Sequence, residues 1–252
     1  MITIKSKEEI EIMLEGGRRL AEVMEEAINL SKAGIALYQL EENIEKSILQ
    51  KGGQPSFKMV PNYHWASCLN INQGVVHGIP NKYHLKENDY LSLDIGFFYK
   101  DFHTDMSRTI KIENGKDKKK EDKFLEIGKK ALEKAIEAAK SGNRVGHISE
   151  AIEKTVRMAG YSSVEALTGH GIGHSLHENP PIPCFLPGNI KSTPLLKTGM
   201  TLAIEVIYNQ GSSDLVLGED NWTIETADGK LAGLFEDTVA IFEDRSIVLT
   251  KK

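Results

Sequence analysis

Only two of the 252 residues are cysteine, Cys68 and Cys184, and they lie far apart in the chain. No disulfide framework can hold such a protein, and the pair suits reduced thiols in the cytosol. Long apolar runs are missing too. No secretory h-region follows Met1 and no stretch is long enough to span a membrane, so a cytoplasmic protein without a membrane partner is expected. Charge of one sign is also lacking: 27% of residues are charged, yet the net charge is only −5 with the signs intermixed, which argues against a nucleic-acid substrate. The densest cationic run, Lys116 to Lys120 with Lys123, is broken by Asp117, Glu121 and Asp122 and reads as a solvated linker entering a helix. What the chain does have is enough length for a well-filled core, as one large domain or two small ones.

Ser6-Lys7-Glu8-Glu9 has the form of a helix capping box, and Ile10, Met13, Leu14, Leu20, Val23, Met24 and Ile28 follow at roughly helical spacing. A second helix is expected over 37–50, ending at Gly52-Gly53. Irregular and strand-like sequence runs through Pro61, Trp65 and Cys68 to His77-Gly-Ile-Pro80. A third helix is expected over 121–140, closed by Gly142, and a fourth over 147–159, stopped by Gly160. The remainder is strand-rich. Two helices followed by strands, twice over, suggest duplication. Lys32-Ala33-Gly34 matches Lys140-Ser141-Gly142, and at the same offset Ile44 to Ile48 matches Ile152 to Val156, with Gly52 falling on Gly160. The expectation is an α+β protein of two similar halves, 1–112 and 113–252, forming a single domain over 1–252.

The chemistry starts at a hairpin. Tyr90 to Phe98 and Phe102 to Ile112 alternate as strands do, with a turn at Tyr99-Lys100-Asp101. If the turn centres between Tyr99 and Lys100, Asp94 lies directly opposite Asp105, where like charges about 5 Å apart are destabilising. A shared proton, an arginine or a cation must offset that repulsion. Ser92, Gly96, His103 and Ser107 share the face, which is therefore polar and roomy. Downstream, His170 between glycines, Glu205 in Ala203-Ile204-Glu205, and Glu236 in Phe235-Glu236-Asp237-Thr238 each place an acid or imidazole beside an apolar strand-like run, where an unpaired charge is expensive.

Four carboxylates and one imidazole form a hard ligand set that favours Mn, Co, Fe(II), Zn or Mg. Bridging carboxylates could hold two such ions about 3.5 to 4 Å apart with an activated hydroxide between them, which is the constellation of a hydrolase. The local pattern differs from the His-Glu-x-x-His helix of single-zinc peptidases, and Gly169 to Gly173 holds only a fragment of a dinucleotide motif. Singly, His77, His174 and His177 read as surface or core histidines. Beside a dinuclear centre, two of them gain roles as donors to an oxyanion or a leaving nitrogen.

Together these residues resemble the type I methionine aminopeptidases of the pita-bread metallopeptidase fold. The carrying motifs are Cys68-Leu-Asn-Ile-Asn-Gln-Gly-Val-Val-His77-Gly-Ile-Pro80, Leu93-Asp94, Phe102-His-Thr-Asp105, Gly169-His170-Gly-Ile-Gly with His177-Glu178, Ile204-Glu205, Trp222-Thr223 and Phe235-Glu236-x-Thr238. The resemblance implies two pseudo-symmetric αα-ββ halves around a central antiparallel sheet, and two divalent metal ions, Co, Mn, Fe or Zn. Asp94 would chelate one ion, Asp105 and Glu236 would bridge, and His170 and Glu205 would complete the second. It further implies metal-hydroxide attack on the first peptide bond of a chain beginning with methionine. Glu205 would shuttle protons, His177 would stabilise the oxyanion and His77 would contact the scissile nitrogen. Tyr63, Cys68, Leu176 and Trp222 would form the methionine pocket. Nascent polypeptides, met at the ribosome, are the implied partners, and with no recognisable partner helix a monomer is expected.

Some positions depart from the family pattern. Asp237 stands where histidine is usual, Val206 where proline is, Gly96 replaces a commoner Thr, Ser or Ala, and Gln73 replaces an acid. Such neighbours of the ligands tune metal affinity without changing the reaction class. Asp94-x-Gly96 and Glu236-Asp237 also suit the Xaa-Pro peptidases of the same fold, which are the alternative reading, while His77-Gly-Ile-Pro80, Cys68 and Trp222 weigh against them. A metal-free binding protein of this fold would be expected to have lost ligands, and all five are present.

Overall fold

The computed structural model describes residues 2–113 and 122–252, so the Lys116 to Lys120 run lies outside the described residues. Helix α1 (Lys7–Leu30) begins at Ser6, whose hydroxyl accepts from the Glu9 amide at 3.2 Å while the Glu9 carboxylate accepts from the Ser6 amide at 2.7 Å. This is the expected capping box, a device worth about 1 kcal/mol. Helix α2 spans Leu37–Gln50, and Gly52 takes a positive φ just beyond it. Helix α3 (Lys123–Ala138) starts from Asp122, whose carboxylate accepts from the Phe124 and Leu125 amides. Helix α4 (Val145–Met158) starts two residues before the expected position. Its first turn is held by His147, whose Nδ1 accepts from the Arg144 amide at 2.9 Å, a capping role that histidine rarely signals in sequence.

Seven strands carry the architecture: β1 (Ser67–Ile71), β2 (Tyr90–Tyr99), β3 (Phe102–Lys111), β4 (Thr168–Gly171), β5 (Glu178–Pro183), β6 (Thr201–Asn209) and β7 (Ala232–Ile241). They run β1-β2-β3-β7-β6-β4-β5, all neighbours antiparallel, within a ten-stranded sheet. Strands β3 and β7 meet at the centre, with β2 and β6 outside them, so the order mirrors itself across the seam between the halves.

Alternation along the strands decides which face meets the helices. In β2, Leu91, Leu93, Ile95 and Phe97 are buried among Leu20, Val23, Leu40 and Ile44 of α1 and α2. In the other half, Ile204, Val206 and Tyr208 of β6 pack with Phe124 and Leu132 of α3 and Ile148 and Ile152 of α4. Each such side chain contributes roughly 1.5–3 kcal/mol of transfer free energy. One sheet face is thereby sealed, and Ser92, Asp94, Gly96 and Glu205 turn to the other.

The hairpin register differs from the expectation by two residues. Tyr99 pairs with Phe102, so Asp94 faces Ser107 and Asp105 faces Gly96. The turn is the two-residue Lys100-Asp101, both with positive φ, the type I′ geometry that matches strand twist. A slip of two keeps every side chain on its face, so the aspartates remain on one surface as diagonal neighbours.

The C-terminal segment closes against α1, where a Cβ on Gly17 would lie 2.4 Å from the Leu249 carbonyl oxygen. Alanine ordinarily improves a helix by up to about 1 kcal/mol over glycine. Here the collision is with backbone, so Gly17→Ala is expected to destabilise by about 1–3 kcal/mol in urea unfolding. A rise in the unfolding midpoint would contradict this packing.

Candidate metal centre

One line of paired residues crosses five strands. Cys68 faces Asp94, Asp94 faces Ser107, Ser107 faces Glu236, and Glu236 faces Glu205. Asp105 lies two residues from Ser107 on the same face, and His170 of β4 pairs with Ala203, two residues from Glu205. Since neighbouring strands are about 4.8 Å apart, this register alone gathers four carboxylates and an imidazole on one patch of sheet.

The donor atoms converge. Ligand atoms of Asp105, His170 and Glu236 lie within 4.8 Å of one another. His170 Nε2 is 3.6 Å from Glu205 Oε1, and its Nδ1 is 2.9 Å from the Gly171 carbonyl oxygen. A carbonyl only accepts, so Nδ1 carries the proton and Nε2 keeps a free lone pair. The Ser107 hydroxyl lies 2.7 Å from Asp94 Oδ1 and 2.9 Å from Glu236 Oε2, and its single proton can serve one of them. Asp105 Oδ1 and Glu236 Oε1 are buried and accept no hydrogen bond from any of the described residues. Bare carboxylate oxygens beside an imidazole lone pair fit a hard divalent cation.

Electrostatics agree. Burial pushes the Asp94 carboxyl up to about 7. Burial first, then repulsion from neighbouring carboxylates, pushes Asp105, Glu205 and Glu236 well above the usual carboxylate range. Burial likewise drives His170 down to about 4. The protein alone disfavours the charges that this arrangement brings together, and a cation reverses that preference.

The surrounding backbone is fixed at the seam. Thr238 Oγ1 accepts from the Asp105 amide at 2.9 Å and donates to the Asp105 carbonyl at 2.8 Å. Arg108 donates to the carbonyls of Ser107 and Glu236 at 2.8 and 2.6 Å and forms an ion pair with Asp237 at 2.7 Å. Asp237 also accepts from Thr250. Strand alternation turns it away from Glu236, so it acts on the backbone that carries the acid. Val206 is buried in the core under the helices. At Gly96 a Cβ would come within 2.7 Å of Phe57 and Ser56, so the glycine is what lets Phe57 close over the sheet.

A cavity of about 190 Å³ opens over this patch. All eleven residues singled out from the sequence line it: Tyr63, Cys68, His77, Asp94, Asp105, His170, Leu176, His177, Glu205, Trp222 and Glu236. Phe57, Val60 and Val76 line it as well and were not foreseen. Phe57 begins a single helical turn, Phe57–Met59, in a segment too short for periodicity to flag. The Tyr63 hydroxyl donates to the Ser67 carbonyl at 2.9 Å, and its ring meets Trp65 and Trp222 edge-on, building an aromatic wall. His77, with a left-handed backbone, and His177 stand at the exposed mouth, and the His177 ring lies 4.5 Å from that of His170. Desolvation on the cavity side lowers both of their pKa values. His174 lies elsewhere, its ring tilted against that of Phe102 near Glu9.

Comparison with known proteins follows the same lines. Residues 11–243 match the sequence signature of metallopeptidase family M24. Methionine aminopeptidase 1 of Bacillus subtilis is 39% identical over the full length of both chains, and the methionine aminopeptidase of Clostridium perfringens is 36% identical over 99% of each. The crystal structure of methionine aminopeptidase from Thermotoga maritima superposes with a TM-score of 0.94 at 33% identity, each chain covered completely. Prolidase from Pyrococcus furiosus shares the fold, with a TM-score of 0.78 at 24% identity over 99% of this chain and 65% of its own. This pita-bread protein belongs to metallopeptidase family M24 and, within it, to the methionine aminopeptidases.

Proposed function

We propose that this protein, as one catalytic domain, hydrolyses the first peptide bond of polypeptides that begin with methionine and releases that residue. The observation that carries the reading is the line of buried acids running beneath a small aromatic-walled cavity. Asp94, Asp105, His170, Glu205 and Glu236 would hold two divalent ions, with Mn, Co, Fe(II) and Zn all suited to the donor set. Bound there, such ions would offset the repulsion among the acids and lower the pKa of water toward neutrality. Glu205 takes the proton of the attacking water and passes it to the departing amine. His177, neutral at pH 7 because its pKa is lowered, donates an N–H to the developing oxyanion. His77 meets the scissile nitrogen. Tyr63, Cys68, Leu176 and Trp222, with Phe57 and Val60, accept the methionine side chain. About 190 Å³ suits one such residue rather than a long segment, so the enzyme works from the chain end. Nascent chains at the ribosome are the natural source of such ends, and the protein is proposed to act there as a monomer. Among the described residues no helix is long and apolar enough to cross a membrane.

The direct test is methionine release from Met-Gly-Met-Met by apo protein titrated with Mn, Co, Fe(II) or Zn, beside an Ala-Pro peptide. Metal-dependent release with an inert proline peptide is expected, and cleavage of the proline peptide alone would overturn the substrate assignment. Glu205→Gln should lower kcat by about 10²-fold or more in a protein that still folds. His77→Ala should lower turnover with metal content unchanged.

Stability offers a second measurement. Burial pushes Asp94 up to about 7 when folded without metal, and the other three acids are raised well above their usual range, against about 4 when unfolded. The folded acids therefore hold protons that the unfolded chain has lost, and this contribution to stability disappears as pH rises through 7. His170 and His103, both lowered to about 4, act in the opposite sense, but only below about 6.5. Metal-free protein should therefore lose Tm as pH rises from about 6.5 through 7, and saturating Mn should restore it increasingly over that range. A metal-free Tm that is flat or rises there would contradict the assignment of the buried acids.

A further inference from the structure

The N-terminal segment makes an enclosed ion pair beside the cavity mouth. Lys5 Nζ is 2.5 Å from Glu178 Oε2, and the two side chains are only 3% and 9% exposed. The Thr3 hydroxyl donates to the same carboxylate, and the Ser175 amide donates to its other oxygen at 3.2 Å. The segment is itself anchored, because the Lys5 amide donates to the Gly199 carbonyl at 2.7 Å and Ile2 bridges to Asn179. A Cβ on Gly173 would come within 2.3 Å of Lys5 Cε, so the loop from Gly173 to Glu178 is shaped around this lysine.

Burying two charges carries a large desolvation cost, which is recovered only when the remaining lone pairs are satisfied. Thr3, Lys5 and Ser175 satisfy those of Glu178. The same loop carries Leu176 and His177, which line the cavity, whereas Glu178 turns away from it. Its carboxylate thus fixes the loop from behind while His177 faces the substrate from the front. The residue that completes this clamp comes from the N-terminal segment, 173 positions earlier in the chain.

We propose that Lys5 is a positioning residue. Acting through Glu178, it holds the Gly173 to Glu178 loop and so sets where His177 meets the reacting carbonyl. This rests on the role of His177 proposed above.

Steady-state kinetics on the metal-loaded full chain test it in two backgrounds. Lys5→Met, and the neutral pair Lys5→Met with Glu178→Gln, should each lower kcat roughly 10- to 100-fold, in keeping with a small misplacement of a reacting group. Metal content should be unchanged, and Lys5→Arg should restore part of the rate. In a His177→Ala background the same changes should cost almost nothing. Hydrogen exchange adds a readout independent of turnover: the Ser175 amide should exchange at least about tenfold faster in Lys5→Met, with the Leu93 amide in the core unchanged. An undiminished loss of kcat in the His177→Ala background would overturn the proposal, as would unaltered Ser175 exchange in Lys5→Met. Full activity in His177→Ala would remove the role of His177 instead, and the exchange result would then decide by itself whether Lys5 holds the loop.

Discussion

Glu205 and Glu236 face each other across adjacent strands at the middle of the sheet, and accommodating these two buried like charges is the constraint that shapes the surroundings. At about 5 Å and an effective dielectric near 20, each such pair costs roughly 3 kcal/mol when both acids are ionised, before desolvation is counted. Asp94 and Asp105 add to the repulsion from the other half. A flexible scaffold would relax by separating the strands. This one is prevented from doing so by helices packed on one face and by Thr238 and Arg108 tying β3 to β7 at the level of the acids. Rigid strands make the site expensive without a cation and specific for one with it.

Much of this was legible in the sequence, for identifiable reasons. Helices with capping signals and glycine stops fall close to their expected limits, because those signals are local. The faces of β2 and β3 were legible because alternation has a period of two. The register was not: nothing in Tyr99-Lys100-Asp101 announces that Lys100 and Asp101 both take positive φ, since the usual Asn-Gly or Asp-Gly mark is missing. Because the slip was even, the acids stayed on one face and the chemical reading survived it. Phe57 was hidden for a different reason, since it enters the cavity from one helical turn and is admitted by the absence of a side chain on Gly96, a pairing visible only in three dimensions. The contact between Lys5 and Glu178 joins residues 173 positions apart and has no local signature.

Asp237 illustrates how a departure from a family pattern can be absorbed. Next to Glu236 in sequence, it resembles an additional ligand. Alternation along β7 turns it to the other face, where Arg108 and Thr250 receive it. Arg108 in turn donates to the carbonyl of Glu236, so the substituted residue bears on the metal site through the peptide backbone. An acid here is compatible with the centre because its charge is spent on the guanidinium, and the four inward carboxylates do not gain a fifth.

A division of labour follows from where each residue sits. The acids and His170 lie on strands, whose positions are set by many shared hydrogen bonds. His77 and His177, which would meet substrate, lie on connections at the mouth, where no ladder fixes them. Each connection is therefore tied by a side-chain acceptor as well as by backbone bonds: the Asn70 side chain takes the Gly78 amide at 2.8 Å beside His77, and Glu178 takes Lys5 and Ser175 beside His177. Both acceptors bind backbone or a buried cation rather than the imidazoles, so they set position without fixing protonation. The imidazoles stay free to donate toward a substrate, and the geometry they need is supplied from behind.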